Sequence, residues 1–211
     1  MTNFLVIFDV DSTLIEDEVI ELLAEVAGKR AEVAAVTERA MRGELDFAES
    51  LRERVKTLKD LPESVFEDVF ARITPTIGVS ELIKQIHAKG GKAAAVSGGF
   101  TKVLTPLAKQ LNLDFYRAND LEIVDSKLTG KVEGKIIDKA AKAEALKEWA
   151  SELKLPLEKT MAVGDGANDL EMMAIAKIGV AFNAKPIVRE KADVVIENHD
   201  LRDLIPYLDQ L

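Results

Sequence analysis

The run Phe4-Leu5-Val6-Ile7-Phe8 constrains the fold more than any other stretch. Five consecutive apolar residues without alternation suit a strand covered on both faces, in the middle of a parallel sheet. Directly behind it stand Asp9-Val10-Asp11-Ser12-Thr13. Residues two apart on extended backbone point to the same side, so Asp9 and Asp11 are expected to enter one cleft at the strand's end. Two like charges that close are costly unless a cation neutralises them or one keeps its proton. The pair therefore reads as a metal ligand and a nucleophile. The bland alternative is a solvated turn in which Asp11 caps the next helix. A lone Asp-x-Asp arises about once by chance in an acidic chain of this length, and it is the position behind a buried strand that favours function.

From Leu14 to about Ile73 the pattern is helical, with no strand-like run. Val19, Ile20, Leu22, Leu23 and Val26 form one amphipathic helix closed by Gly28, and a second is expected from about Arg30 to Gly43. Asp46 and Glu49 have capping-box spacing and start a third helix, which Leu61-Pro62 ends. Val65, Phe66, Val69, Phe70 and Ile73 mark a fourth. After Thr74-Pro75-Thr76 short apolar strands alternate with helices, the signature of βαβ units. Ala93 to Val96 is expected to run into a glycine turn at Ser97-Gly98-Gly99, and Met161 to Val163 into another at Gly164-Asp165-Gly166. Ile178 to Ala181 and Val194 to Ile196 are further strands, and Leu121 to Val132 forms a small hairpin around Asp125-Ser126. The expected fold is α/β: a parallel sheet from residues 1–13 and 74–211, with an all-helical insertion of four helices from residues 14–73 after the first strand.

Composition narrows the function. The 211 residues contain no apolar stretch of the roughly 20 residues that a membrane span requires. The start, Met1-Thr2-Asn3, has no basic region before its short apolar run, so no export signal is expected and the location is expected to be cytoplasmic. Absence of Cys excludes disulfides and thiolate chemistry. A net charge of −9 should repel nucleic acid and anionic membranes, so an anionic substrate needs local positive charge. The expected partner is a small molecule, and the chain a monomer or homodimer.

In open parallel sheets ligands bind beyond the carboxyl ends of the strands, where Asp9, Asp11, Ser97 and Asp165 are expected. Gly164 to Asp169 alone has a bland explanation as a glycine turn with Asn168 or Asp169 as helix cap. Beside Asp9 it acquires another. Mg²⁺ prefers oxygen ligands and commonly uses one or two carboxylates plus phosphate oxygens, and Asp9 and Asp165 supply such a pair. No Cys and only two His argue against zinc. Ser97-Gly98-Gly99 offers a hydroxyl and backbone N–H groups to an anion, as many α/β turns do. Lys142 shares a helix face with Leu146, Trp149 and Leu153 near a helix start, where the dipole disfavours a cation; it faces a buried anion or else snorkels. Arg54 lies on an apolar face with Phe47, Leu51 and Leu58, so it either seeks a carboxylate or phosphate on a ligand or closes an internal salt bridge. Glu18, with Glu16 and Asp17, suits the helix dipole without further purpose. His87 and His199 are structural, Met172 and Met173 pack a helix, and Trp149 belongs to the core.

With Asp9-Val10-Asp11-Ser12-Thr13, Ser97, Lys142 and Gly164-Asp165-Gly166-Ala167-Asn168-Asp169 in order, nearly the whole chain resembles the haloacid dehalogenase-type phosphohydrolases. Within that family, Met41, Gly43, Phe47, Ser50, Leu51, Arg52, Arg54 and Val55 resemble the cap of the group that hydrolyses phosphoserine at the last step of serine biosynthesis. Some members carry an additional N-terminal regulatory domain, for which no room is expected before Phe4. The resemblance implies a doubly wound, Rossmann-like core with a mobile four-helix cap from residues 14–73, and a Mg²⁺-dependent phosphatase. By it, Asp9 is the nucleophile that forms an aspartyl phosphate, and Asp11 is the general acid and then the base. Asp9, Asp165 and the Asp11 carbonyl hold the metal, with Asp169 behind them. Ser97, the Gly98 N–H and Lys142 hold phosphate, while Asn168 orients phosphate or water. Glu18 reads the substrate ammonium, Arg54 its carboxylate, and Met41 and Phe47 line the closed cap. Thr13 is assigned no chemistry. A phosphotransferase or a phosphatase for another small metabolite would use the same intermediate. A phospho-accepting signalling module shares the carboxylates, hydroxyl and lysine but has no need of a helical insertion.

Overall fold

The computed structural model describes residues 2–42 and 44–211. Seven strands form one sheet: β1 (Leu5–Phe8), β2 (Lys92–Phe100), β3 (Phe115–Val124), β4 (Lys127–Glu133), β5 (Thr160–Gly164), β6 (Ile178–Phe182) and β7 (Val194–Ile196). Their order is β4-β3-β2-β1-β5-β6-β7. All neighbours are parallel except β3 and β4, which form an antiparallel edge. β1 is central and fully buried, pairing Phe8 with Ala95 on one side and with Val163 on the other. Its lack of alternation is explained by the two faces it feeds. Val6 and Phe8 pack with α5 (Val79–Ala88), α6 (Thr101–Leu111) and the C-terminal 3₁₀ segment Leu201–Gln210. Leu5 and Ile7 pack with α7 (Lys139–Glu152), α8 (Leu170–Ile175) and α9 (Pro186–Arg189).

The chain leaves β1 toward β2, β3 and β4 on one side and later crosses to β5, β6 and β7 on the other. The ends of β1 and β5 therefore flank the topological switch point, where the helices that follow neighbouring strands diverge and leave a crevice. The doubly wound α/β architecture is as expected.

Between β1 and α5 lie α1 (Val19–Val26), α2 (Arg30–Met41), α3 (Phe47–Lys56) and α4 (Val65–Phe70). Asp46 starts α3 with the full reciprocal box: its side chain accepts from the Glu49 N–H at 2.8 Å, and Glu49 accepts from the Asp46 N–H at 3.0 Å. α3 ends at Lys56, earlier than the Leu61-Pro62 boundary expected, because the residues that follow leave the helix to pair with the core. The Asp60 N–H donates to the Leu128 carbonyl, the Leu128 N–H to the Leu61 carbonyl and the Glu63 N–H to the Ser126 carbonyl, each at 2.9 Å. α4 also stops short of the expected Ile73. Gly43, expected at the end of α2, lies outside the described residues.

A second correction concerns Ser97-Gly98-Gly99. These residues are not a turn before a helix but the last part of β2, which continues to Phe100 with a register irregularity after Val96. The hairpin around Asp125-Ser126 is as expected, with both turn residues at positive φ (50° and 59°), as a two-residue loop requires. It is not a separate unit, since β3 also pairs in parallel with β2. No helix among the described residues is long and apolar enough to cross a membrane.

Candidate active site

A cavity of about 840 Å³ opens over the strand ends, walled by the core below and by α1, α2 and α3 above. Asp9, Asp11, Glu18, Phe47, Arg54, Ser97, Gly98, Asp165 and Asn168 all line it. Lys142 does not, because its side chain has no exposed surface; it lies directly behind Asp9. Met41 is the last residue of α2, and its side chain lies outside the described residues.

Asp9 follows β1 with its N–H bonded to the Val163 carbonyl of β5 at 2.9 Å, so the carboxylate stands at the switch point. Asp11 follows in a turn rather than in extended backbone, since the Thr13 and Leu14 N–H groups both return to the Val10 carbonyl. Its Oδ2 accepts from the Val19 N–H at 3.3 Å, while its buried Oδ1 has no hydrogen-bond partner among the described residues. The capping role set against function is thus real, and it occupies one oxygen only.

Asp138 caps α7 through the Ala141 N–H at 2.9 Å, which fixes the register of the helix. Lys142 then projects under the strand ends and donates to Asp9 Oδ1 at 2.5 Å and to Asp169 Oδ1 at 2.7 Å. Burial works against the ammonium, but the Asp169 and Asp9 carboxylates outweigh it and hold Lys142 charged. One cation shared by two buried carboxylates is insufficient for both. Burial and the Asp169 charge raise Asp9 to about 7 against the pull of Lys142, so Asp9 is not held firmly ionised as its expected role demands. Asp165 rises to about 6, again through burial first and then Asp169. Asp11 is pushed well above the usual carboxylate range by burial and by the Glu18 and Asp9 charges.

These shifts test the site for a metal. Asp9, Asp165 and Asp169 each offer an oxygen, all within 4.8 Å of one another. The set is purely carboxylate and carries more negative charge than Lys142 balances, which suits a hard divalent cation. Asp169 is committed on both oxygens, to Lys142 and, at 3.0 Å, to the Gly166 N–H. Asp9 and Asp165 are left as the freer pair. The Asp11 carboxylate is not in this cluster, so any contribution from Asp11 must come from its carbonyl.

Ser97 is buried, and its hydroxyl oxygen accepts from the Gly99 N–H at 2.8 Å, leaving its hydrogen to donate into the cavity. Gly98 lies under Phe47: a Cβ there would come within 2.9 Å of the Phe47 ring. Gly164 is needed for the same reason, since a Cβ would sit 2.4 Å from Asp169 Cγ. On the helical side Arg54 is half-buried, with its Nε donating to the Ser50 carbonyl at 3.3 Å. The internal salt bridge weighed for it is not found among the described residues. Burial lowers its pKa, opposed by the Glu18, Asp11 and Glu21 charges. Glu18 occupies the N-cap position of α1 without capping it, and instead accepts from the Ser12 hydroxyl at 2.8 Å.

Two residues escaped the sequence argument. Lys185 lines the cavity past the end of β6, and its charge acts on Asp165; the strand-end rule applied to β6 points to it. Asn119 is buried in β3, donating to the Gly98 and Gly99 carbonyls at 2.9 and 3.2 Å and accepting from the Ile137 N–H at 2.8 Å. A buried Asn within a strand was its signal.

A family model described as haloacid dehalogenase-like hydrolase matches residues 6–174. A protein of Streptococcus thermophilus named phosphoserine phosphatase is 53% identical over 207 residues, covering 98% of this chain and 96% of that one. A solved structure described as a phospho-aspartyl intermediate analogue of phosphoserine phosphatase has a TM-score of 0.92 and 46% identity, covering 99% of this chain and all of that one. A substrate-bound phosphoserine phosphatase complex has a TM-score of 0.92 and 45% identity, covering 99% of each chain.

Proposed function

The chain belongs to the haloacid dehalogenase-like hydrolases, and from that premise we propose that it hydrolyses O-phospho-L-serine to L-serine and phosphate through an aspartyl phosphate on Asp9. The observation that carries the substrate is the presence of both Arg54, a half-buried guanidinium with no carboxylate partner among the described residues, and Glu18 in the wall of the cavity that also holds Asp9, Asp11 and Ser97. A phosphorylated amino acid presents a phosphate, an ammonium and a carboxylate. The cavity offers a complement to each.

Asp9 attacks phosphorus as the bond from phosphorus to the serine oxygen breaks, and Asp11, whose hold on a proton is strengthened by burial, gives its proton to that oxygen. Asp11, now a carboxylate, takes a proton from the water that attacks the acyl phosphate, and the bond from phosphorus to Asp9 breaks. The Ser97 hydroxyl and the Gly98 N–H hold the phosphoryl oxygens and Asn168 orients phosphate or water, while Lys142, behind Asp9, supports the charge that the phosphoryl group brings to that carboxylate. Mg²⁺ held by Asp9, Asp165 and the Asp11 carbonyl, with Asp169 supporting, would neutralise Asp9 and the phosphate oxygens. Residues 1–13 and 74–211 thus serve the chemistry, and residues 14–73, with Phe47 toward the substrate, serve selection.

A phosphate-release screen over phosphorylated metabolites, with and without Mg²⁺, tests this. Phosphoserine should rank among the best substrates, with release abolished by chelation. If it does not, the substrate assignment to Glu18 and Arg54 is wrong.

A further inference from the structure

Ser12 adopts a φ of +57°, in the left-handed region that L-residues other than Asn and Asp rarely enter. Glycine would adopt this backbone without strain, whereas a serine here carries a local cost. Its side chain has one evident use. The hydroxyl donates to Glu18 Oε1 at 2.8 Å. Glu18 needs such support: it is exposed, long and flexible, and it does not bond the helix end at which it sits, where the Val19 N–H goes to Asp11 instead. Among the described residues no other side chain hydrogen-bonds its carboxylate. Ser12 itself is anchored between Asp11 and buried Thr13, on a turn closed by the bonds to Val10. A rigid hydroxyl at that point selects one orientation of Glu18 over the cavity and leaves its Oε2 available.

We propose that Ser12 is a positioning residue for ammonium recognition, holding the Glu18 carboxylate against the substrate's amino group through the Ser12 hydroxyl. This rests on Glu18 being the ammonium acceptor. Preorganising one charged acceptor lowers the ordering cost on binding, and the strained backbone places the hydroxyl where that is achieved.

The test compares kcat/KM for O-phosphoserine with that for 3-phosphooxypropionate, the same ester without its amino group, in Ser12→Gly, Ser12→Ala, Glu18→Gln and the Ser12→Gly/Glu18→Gln double variant. Glu18→Gln should collapse the preference for phosphoserine. Ser12→Gly should lower that preference roughly five- to tenfold, mainly through KM, as expected for one hydrogen bond to a charged group. Its melting temperature should be unchanged or higher, because the φ strain is relieved. Ser12→Ala should lose the same preference and melt below Ser12→Gly. In the Glu18→Gln background, Ser12→Gly should change the preference no further. If Glu18→Gln collapses the preference but Ser12→Gly leaves it intact, Ser12 is only a loop residue and the proposal is overturned. Equal losses on both substrates would place its effect on the Asp11 turn instead, and overturn it likewise. If Glu18→Gln leaves the preference unchanged, Glu18 is not the acceptor and both claims fall.

Discussion

Beneath the floor of the cavity Lys142 has no exposed surface and lies within 2.7 Å of two carboxylates, whereas on the helical side Arg54 has no carboxylate partner among the described residues and Glu18 is exposed. The floor groups are held by regular structure: Asp9 by β1 and β5, and Lys142 by a capped α7. The helical-side groups have little holding them apart from the Ser12 hydroxyl and the Ser50 carbonyl. Charges that stabilise a reaction must be oriented beforehand, without reorganisation. Charges that select a substrate gain most when their partner is the substrate itself, because a buried pair satisfied internally has nothing left to offer.

The sharpest way to break this comparison is Asp9→Asn. Turnover should fall by at least about 10³-fold, while the fold survives, since Asn removes one of the carboxylates competing for Lys142, which keeps Asp169. Measurable turnover near the wild-type rate would remove Asp9 as nucleophile. Lys142→Met should be nearly as severe but in stability as well as rate. It leaves two buried carboxylates without their cation, at a cost of about 3–5 kcal/mol in denaturant unfolding. Ordinary stability in that variant would mean that the floor is not an electrostatic unit.

Arg54→Ala should raise KM for phosphoserine by roughly 10- to 100-fold, with a much smaller change for an aryl phosphate. An equal change for both would take Arg54 out of carboxylate recognition. The floor also predicts a pH dependence in the metal-free protein. Asp9 and Asp165 have folded-state pKa values raised to about 7 and about 6, so their protonated forms are favoured in the native state. Their contribution to stability is full below the ordinary Asp range and is lost as pH rises through 6 and 7. Mg²⁺, by binding the ionised native site, should therefore raise the melting temperature by several degrees at pH 8 and much less at pH 5. Equal shifts at both pH values would argue that the cation does not bind these carboxylates. The smallest effect belongs to the helical side: Asp46→Ala removes the α3 cap for about 1 kcal/mol, and through Phe47 at the start of that helix it should raise KM rather than lower kcat. A loss confined to kcat would show that α3 acts on the chemistry.

Much of this arrangement was legible because it depends on local rules. An unbroken apolar run marks a strand buried on both faces, so its pattern alone puts Asp9 at a strand end. Asp46 with Glu49 announced the start of α3, and Asp125-Ser126 the two-residue turn. Where a residue's conformation is set by distant partners, the same rules failed. Ser97-Gly98-Gly99 looks like a turn, yet Asn119 bonds the Gly98 and Gly99 carbonyls and keeps the segment in the sheet. α3 looked as though it would run to Leu61, yet the β3–β4 hairpin takes up the backbone of residues 60–63.

The sequence by itself determined the kind of site: carboxylates, a hydroxyl and a lysine at the ends of parallel strands, since strand burial and helix phase follow from side-chain periodicity. Only the tertiary structure decided how charge is distributed among them. One ammonium is shared by Asp9 and Asp169, among the described residues Asp11 is left with an unpartnered oxygen and Arg54 lacks a carboxylate partner, and Glu18 is steered by Ser12. Pairing and pKa depend on separations of a few ångströms between residues as far apart in the chain as Asp9 and Lys142, which periodicity does not encode.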